Sequence, residues 1–111
     1  SAVGFGNINP RPSADILLTQ FFKSDAQWNE SRWKNPKFDQ LLVAARAETD
    51  LARRKQMYAD MQVMIHNEAG IGIPLFLASL DGHTTKLKGF TPIPLGGLMG
   101  YNFAEHVWFD A

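Results

Sequence analysis

The sequence predicts a mixed α/β fold in which a pair of helices is flanked by short strands, and three observations carry that prediction. Between Pro36 and Glu68 apolar residues recur at helical spacing, with a break at Glu48-Thr49-Asp50. After Gly70 comes an apolar run, Ile71-Gly72-Ile73-Pro74-Leu75-Phe76-Leu77, bounded by glycine and proline and short enough to be a buried strand. Short strand-like stretches stand at both ends, where Val3 and Phe5 alternate with glycines and Glu105 to Phe109 closes the chain.

In chain order, the opening strand enters a polar turn, Asn7-Ile8-Asn9-Pro10-Arg11-Pro12, whose prolines forbid a helix before Pro12. Ser13 then supplies a side-chain N-cap for a short helix with Leu17, Leu18, Phe21 and Phe22 on its apolar face. Lys23 to Lys34 is polar apart from Trp28 and Trp33 and reads as an ordered loop. Asn35-Pro36 is a strong helix start, with Phe38, Leu41, Leu42 and Ala45 following at i, i+3, i+4 and i+7. A third helix runs from about Leu51 to Glu68 and buries Leu51, Met57, Tyr58, Met61, Met64 and Ile65, with Arg53, Arg54 and Lys55 on a solvated face and Gly70 at its close. Leu80 to Gly89 suggests a hairpin ending in Lys86-Leu87-Lys88, and Phe90 to Gly100 is rich enough in proline and glycine to be irregular.

At 111 residues the chain suits one ordinary domain, and its 45% hydrophobic and 20% charged content is that of a soluble globular protein. Eleven basic residues balance eleven acidic ones. That balance leaves no electrostatic footprint for nucleic acid or an anionic membrane, so binding to DNA or RNA is not expected. The absence of cysteine excludes a disulfide framework and every thiolate-based site. The chain opens Ser1-Ala2-Val3 without an initiator methionine, so a fragment or processed chain with a signal sequence upstream is expected.

Nothing converges on catalysis. His66, His83 and His106 are scattered over different elements, no two stand at ligand spacing, and His66 sits where an imidazolium complements a helix C-terminus. The glycine-rich Gly96-Gly97-Leu98-Met99-Gly100 opens no obvious helix and is a poor phosphate cradle. Neither enzyme activity nor a cofactor or metal is expected. The stretch from Phe5 to Asp15 is more informative: Asp15 would meet a ligand's ammonium group, Arg11 its carboxylate, Asn9 an amide, and Phe5 an apolar surface. The alternative is that Asp15 only stabilises the N-terminus of its helix, an effect of about 0.3–1 kcal/mol.

The order of several segments resembles a known family. Arg11-Pro12-Ser13-Ala14-Asp15, Trp28-Asn29, Trp33-Lys34-Asn35 and Phe38-Asp39-Gln40-Leu41-Leu42 are similar to the late region of the peptide, nickel and opine binders of ABC importers. Ala44-Ala45-Arg46, Arg53-Arg54, Met57-Tyr58, Met61-Gln62 and Ile73-Pro74-Leu75 continue the likeness. It implies a fragment of a two-lobed periplasmic binding protein, with residues 1–80 ending the C-terminal lobe and 81–111 crossing back to the other. It also implies a ligand-binding component for peptide-like or opine-like solutes, with Asp15 holding the ligand's ammonium group. A membrane ABC permease and the remainder of the parent chain are then the partners, and self-association is expected of the isolated fragment. The rival reading is a helical hairpin between Pro36 and Glu68 that docks another protein.

Overall fold

The computed structural model describes residues 3–94 and 96–110. They form two compact units, Arg11–Pro74 and the combination of Ser1–Pro10 with Leu75–Ala111. The first is helical, and the second carries the strands.

In the helical unit each helix begins where a side chain satisfies the free N–H groups of its first turn. Helix α1, Ala14–Phe21, starts at Ser13, whose hydroxyl accepts from the Ile16 N–H at 3.3 Å. Helix α2, Pro36–Ala47, starts at Asn35, whose side-chain oxygen accepts from the N–H groups of Lys37 and Phe38 at 2.9 and 3.2 Å. Proline follows at the first helical position, where its missing N–H leaves nothing unsatisfied. Helix α3, Leu51–Glu68, starts at Asp50, whose carboxylate accepts from the Arg53 N–H at 2.7 Å. It ends at Ala69, and Gly70 turns the chain away with φ of +66°, a conformation that glycine adopts without a Cβ clash.

Helix α2 is the centre of this unit and packs against both α1 and α3. Phe38, Leu42 and Ala45 are buried, one turn after another along the same face. Leu18 and Phe22 meet them from the α1 side, Met61 from α3, and Ala69 from just beyond it. Leu17, Phe21, Leu41, Met57, Tyr58, Met64 and Ile65 pack around this centre, as their spacing predicts. Leu51 departs from that pattern: at the first position of α3 it lies beyond the reach of α2's face and is exposed.

The loop from Lys23 to Lys34 is ordered by polar clamps. The Asn29 side-chain amide donates to the carbonyls of Lys23 and Trp33 at 3.2 and 2.7 Å, drawing the two ends of the loop together. The Ser24 N–H donates to Asp39 at 3.0 Å, and the Asn35 N–H donates to the Ser24 hydroxyl at 3.2 Å. The Asn35 amide also donates to Glu68 at 2.8 Å, joining the start of α2 to the end of α3. Trp33 stands edge-on to Phe38, with ring centres 5.1 Å apart.

The second unit holds one two-stranded antiparallel sheet, β1 (Leu87–Lys88) with β2 (Trp108–Phe109), in which Leu87 faces Phe109 and Lys88 faces Trp108. Gly89 follows β1 with φ of +80°, and a Cβ there would strike the His106 carbonyl and the Trp108 ring. Between the strands the chain makes a left-handed turn through Leu98 and Met99, at φ of +53° and +51°. The Asp81 carboxylate accepts from the Leu98 N–H at 2.9 Å.

Mixed α and β content and the helix pair agree with the sequence-based expectation, but a two-lobed cleft is not displayed by the described residues. The strands differ from the expectation in detail. Residues 3–5 have no regular structure, because no strand pairs with them among the described residues. The run from Ile71 to Leu77 forms no strand, and Ile73, Leu75, Phe76 and Leu77 are exposed rather than buried. Leu87–Lys88 closes no local hairpin and pairs instead with the far end of the chain. Of the expected last strand only Trp108–Phe109 is extended, because Phe103–Glu105 forms a 3₁₀ turn that reaches into its start.

The burial pattern fixes a mutational contrast. Phe38→Ala should cost about 3–5 kcal/mol of unfolding free energy, measured by urea denaturation followed by circular dichroism. Val43→Ala, on the exposed side of the same helix, should stay within about 0.5 kcal/mol.

Candidate functional site

The three helices of the first unit meet around an open concavity of about 390 Å³. Asp15 enters it from the first turn of α1, Arg46 from the last turn of α2, and Arg54 and Tyr58 from neighbouring turns of α3, four residues apart. Ala14 and Ala45 contribute small apolar surface between these groups.

Asp15 and Arg46 form a forked ion pair. Arg46 Nε lies 3.2 Å from each carboxylate oxygen of Asp15, and Nη2 lies 3.1 Å from Oδ1. Nη2 also donates to the Thr19 hydroxyl at 2.9 Å, one turn further along α1. Both side chains retain solvent contact, at 54% exposure for Arg46 and 29% for Asp15, so the pair contributes at most about 1 kcal/mol to stability. Its greater effect is on geometry, since the planar fork fixes the orientation of the carboxylate.

Tyr58 is half-buried beside this pair. Burial pushes its phenol pKa up, and the negative charge of Asp15 and a hydrogen bond to it act in the same direction, while Arg54 and Arg46 oppose them. At neutral pH the phenol therefore keeps its proton and is a hydrogen-bond donor. Arg54, also half-buried, forms no ion pair among the described residues. Two guanidinium groups thus face one carboxylate.

The four residues singled out from the sequence fall in both units. Phe5 and Asn9 belong to the unit with the strands, and Phe5 is almost wholly exposed. Arg11 and Asp15 belong to the helical unit. The Arg11 Nε donates to the Gln20 side chain at 2.6 Å, and its guanidinium lies over the rings of Phe21 and Trp28, at 5.2 and 5.4 Å from their centres. Trp28 also borders a second open concavity, of about 400 Å³, with Gln20, Lys23, Asp25 and Gln27. Lys23 and Asp25 pair at 2.6 Å, and that contact holds the Asp25 carboxyl below its ordinary pKa.

Arg46, Arg54 and Tyr58 are the site residues that sequence reasoning passed over. Arg54 read as solvated and Tyr58 as core. Their spacing of four on α3, a cation beside a phenol, was the available signal. Among the described residues no group of three histidine, aspartate or glutamate side chains is placed to hold a metal ion.

The chain is similar to a periplasmic binding protein. It is 36% identical over 90 residues, 80% of its length, to the probable deoxycholate-binding periplasmic protein YgiS of Escherichia coli (strain K12). It spans 16% of that relative's length. The relative is named for deoxycholate, and this overturns the resemblance to peptide, nickel and opine binders drawn from the segment order. Short motifs such as Arg11-Pro12 and Trp33-Lys34-Asn35 lie in caps and loop clamps, so they report local structure and do not discriminate between ligands. No family model matches the chain, and no solved structure matches it significantly. No helix among the described residues is long and apolar enough to cross a membrane.

The Tyr58 environment gives a prediction about pH. Because the folded state holds the phenol proton more tightly, the associated stability is complete below the ordinary tyrosine pKa and is lost as pH rises through the raised value. A spectrophotometric titration of the folded chain should show a phenol ionising above the ordinary tyrosine range. Asp15→Asn should bring that transition down, though not fully, because burial remains the larger cause.

Proposed function

We propose that this chain contributes to an extracytoplasmic solute-binding protein that binds a small molecule without transforming it. The observation that carries the reading is the likeness to a periplasmic binding protein over 80% of the chain. The concavity between the three helices supports it, since it combines fixed charges, a phenol donor and apolar surface, the elements from which small-molecule sites are built. Binding rather than catalysis is the reading because the relative is named as a binding protein.

Within this proposal the solute is handed to a transporter in the membrane, and Asp15 acts by holding Arg46 in place beside the ligand. Peptide specificity is not carried forward. Deoxycholate, a carboxylate on a rigid apolar frame, is the first ligand to try, because it is the one for which the relative is named. The exposed Leu75, Phe76, Leu77 and Leu80 further suggest that the chain associates with itself when made alone.

Two measurements test the proposal. Calorimetric titration of the chain, and of any longer polypeptide that contains it, with deoxycholate and a panel of other small solutes should give saturable binding, with the bound solute recovered chemically unchanged. Consumption of the solute, or no binding by either protein, would sink the reading. Light scattering of the chain alone should give a mass above that of one copy at high concentration, and a monomer throughout would remove self-association from the proposal.

A further inference from the structure

The charges around the concavity of the helical unit do not cancel. Asp15 is taken up by Arg46 through three contacts of 3.1–3.2 Å, and this leaves the Arg54 guanidinium as the unbalanced charge. Arg54 is half-buried on α3 and has no carboxylate at ion-pair distance among the described residues. One turn on, Tyr58 lines the same concavity, and the apolar remainder is supplied by Ala14 and Ala45. A guanidinium and a phenol four residues apart on one helix face can both donate to one small anion.

We infer that Arg54 and Tyr58 form an anion-binding site for an organic monocarboxylate, with the Asp15–Arg46 pair as its rigid wall. This rests on the solute-binding reading and names the chemical class of the solute. A carboxylate fits better than a phosphate on grounds of charge. The cluster of Asp15, Arg46 and Arg54 has one net positive charge to offer, and a doubly charged phosphate would leave one negative charge uncompensated beside Asp15. The two oxygens of a carboxylate also match the guanidinium fork. Tyr58 keeps its proton through neutral pH, because burial and Asp15 both resist its ionisation, so it presents a neutral phenol to the anion and donates to it by turning its single O–H away from Asp15. The volume, about 390 Å³, admits an apolar body attached to the carboxylate.

The test compares an acid with its neutral amide. Isotope-labelled chain is titrated with benzoate and with benzamide, and affinity is read from NMR shifts of residues in α1, α2 and α3. Benzoate should bind about tenfold more tightly than benzamide, the size of one charge-assisted hydrogen bond. Arg54→Gln should abolish that preference, Arg54→Lys should keep part of it, and Tyr58→Phe should weaken benzoate alone. Thermal melts of the variants identify any that fail to fold, and the conservative lysine variant keeps the question answerable in that event. Equal binding of acid and amide, or a benzoate affinity unchanged by Arg54→Gln, overturns the anion site and leaves the solute-binding reading standing. Failure of both probes and of every panel solute to bind overturns the two together.

Discussion

The burial of one face of α2 is the constraint on which the helical unit depends. Phe38, Leu42 and Ala45 are wholly removed from solvent, and no other helix of the unit contributes as many buried side chains. Covering a side chain such as Phe38 or Leu42 contributes about 1.5–3 kcal/mol, more than any single ion pair in the unit. Because α1 and α3 both pack on α2, neither can be displaced without exposing that face. The polar cluster of Asp15, Arg46, Arg54 and Tyr58 is a consequence of that packing, since its members stand on three helices that α2 holds together.

That arrangement explains why fixed charge and apolar packing lie side by side here. Ala45 is part of the core and also borders the concavity, and Tyr58 packs against the core while its hydroxyl feels Asp15. A site of this kind has its polar groups preorganised by hydrophobic contacts behind them, so little conformational freedom remains to be lost when a ligand arrives. The likeness to a periplasmic binding protein is consistent with such a site.

Much of the helical unit was legible in the sequence because its signals are local. Ser13, Asn35 and Asp50 each announce a helix start within three or four residues, and the apolar spacing of Phe38, Leu42 and Ala45 identifies the buried face without reference to the rest of the chain. Strands were less legible because a strand exists only through its partner. Leu87–Lys88 pairs with residues some twenty positions later, and the apolar stretch from Ile71 to Leu77 has the composition of a strand without a pairing edge among the described residues. The site shows the same division. Asp15 stood out from its place near a turn, but its cation, Arg46, lies 31 residues away and depends on how α1 and α2 pack. Arg54 reads as solvated from the sequence, since nothing local reveals that it borders a concavity shared with α1 and α2.

Asn35 illustrates how a single amide can serve two helix termini. Its oxygen caps the first turn of α2 while its nitrogen holds Glu68 in the last turn of α3. One side chain thus closes the beginning of α2 and ties it to the end of α3, across a gap of 33 residues in the chain.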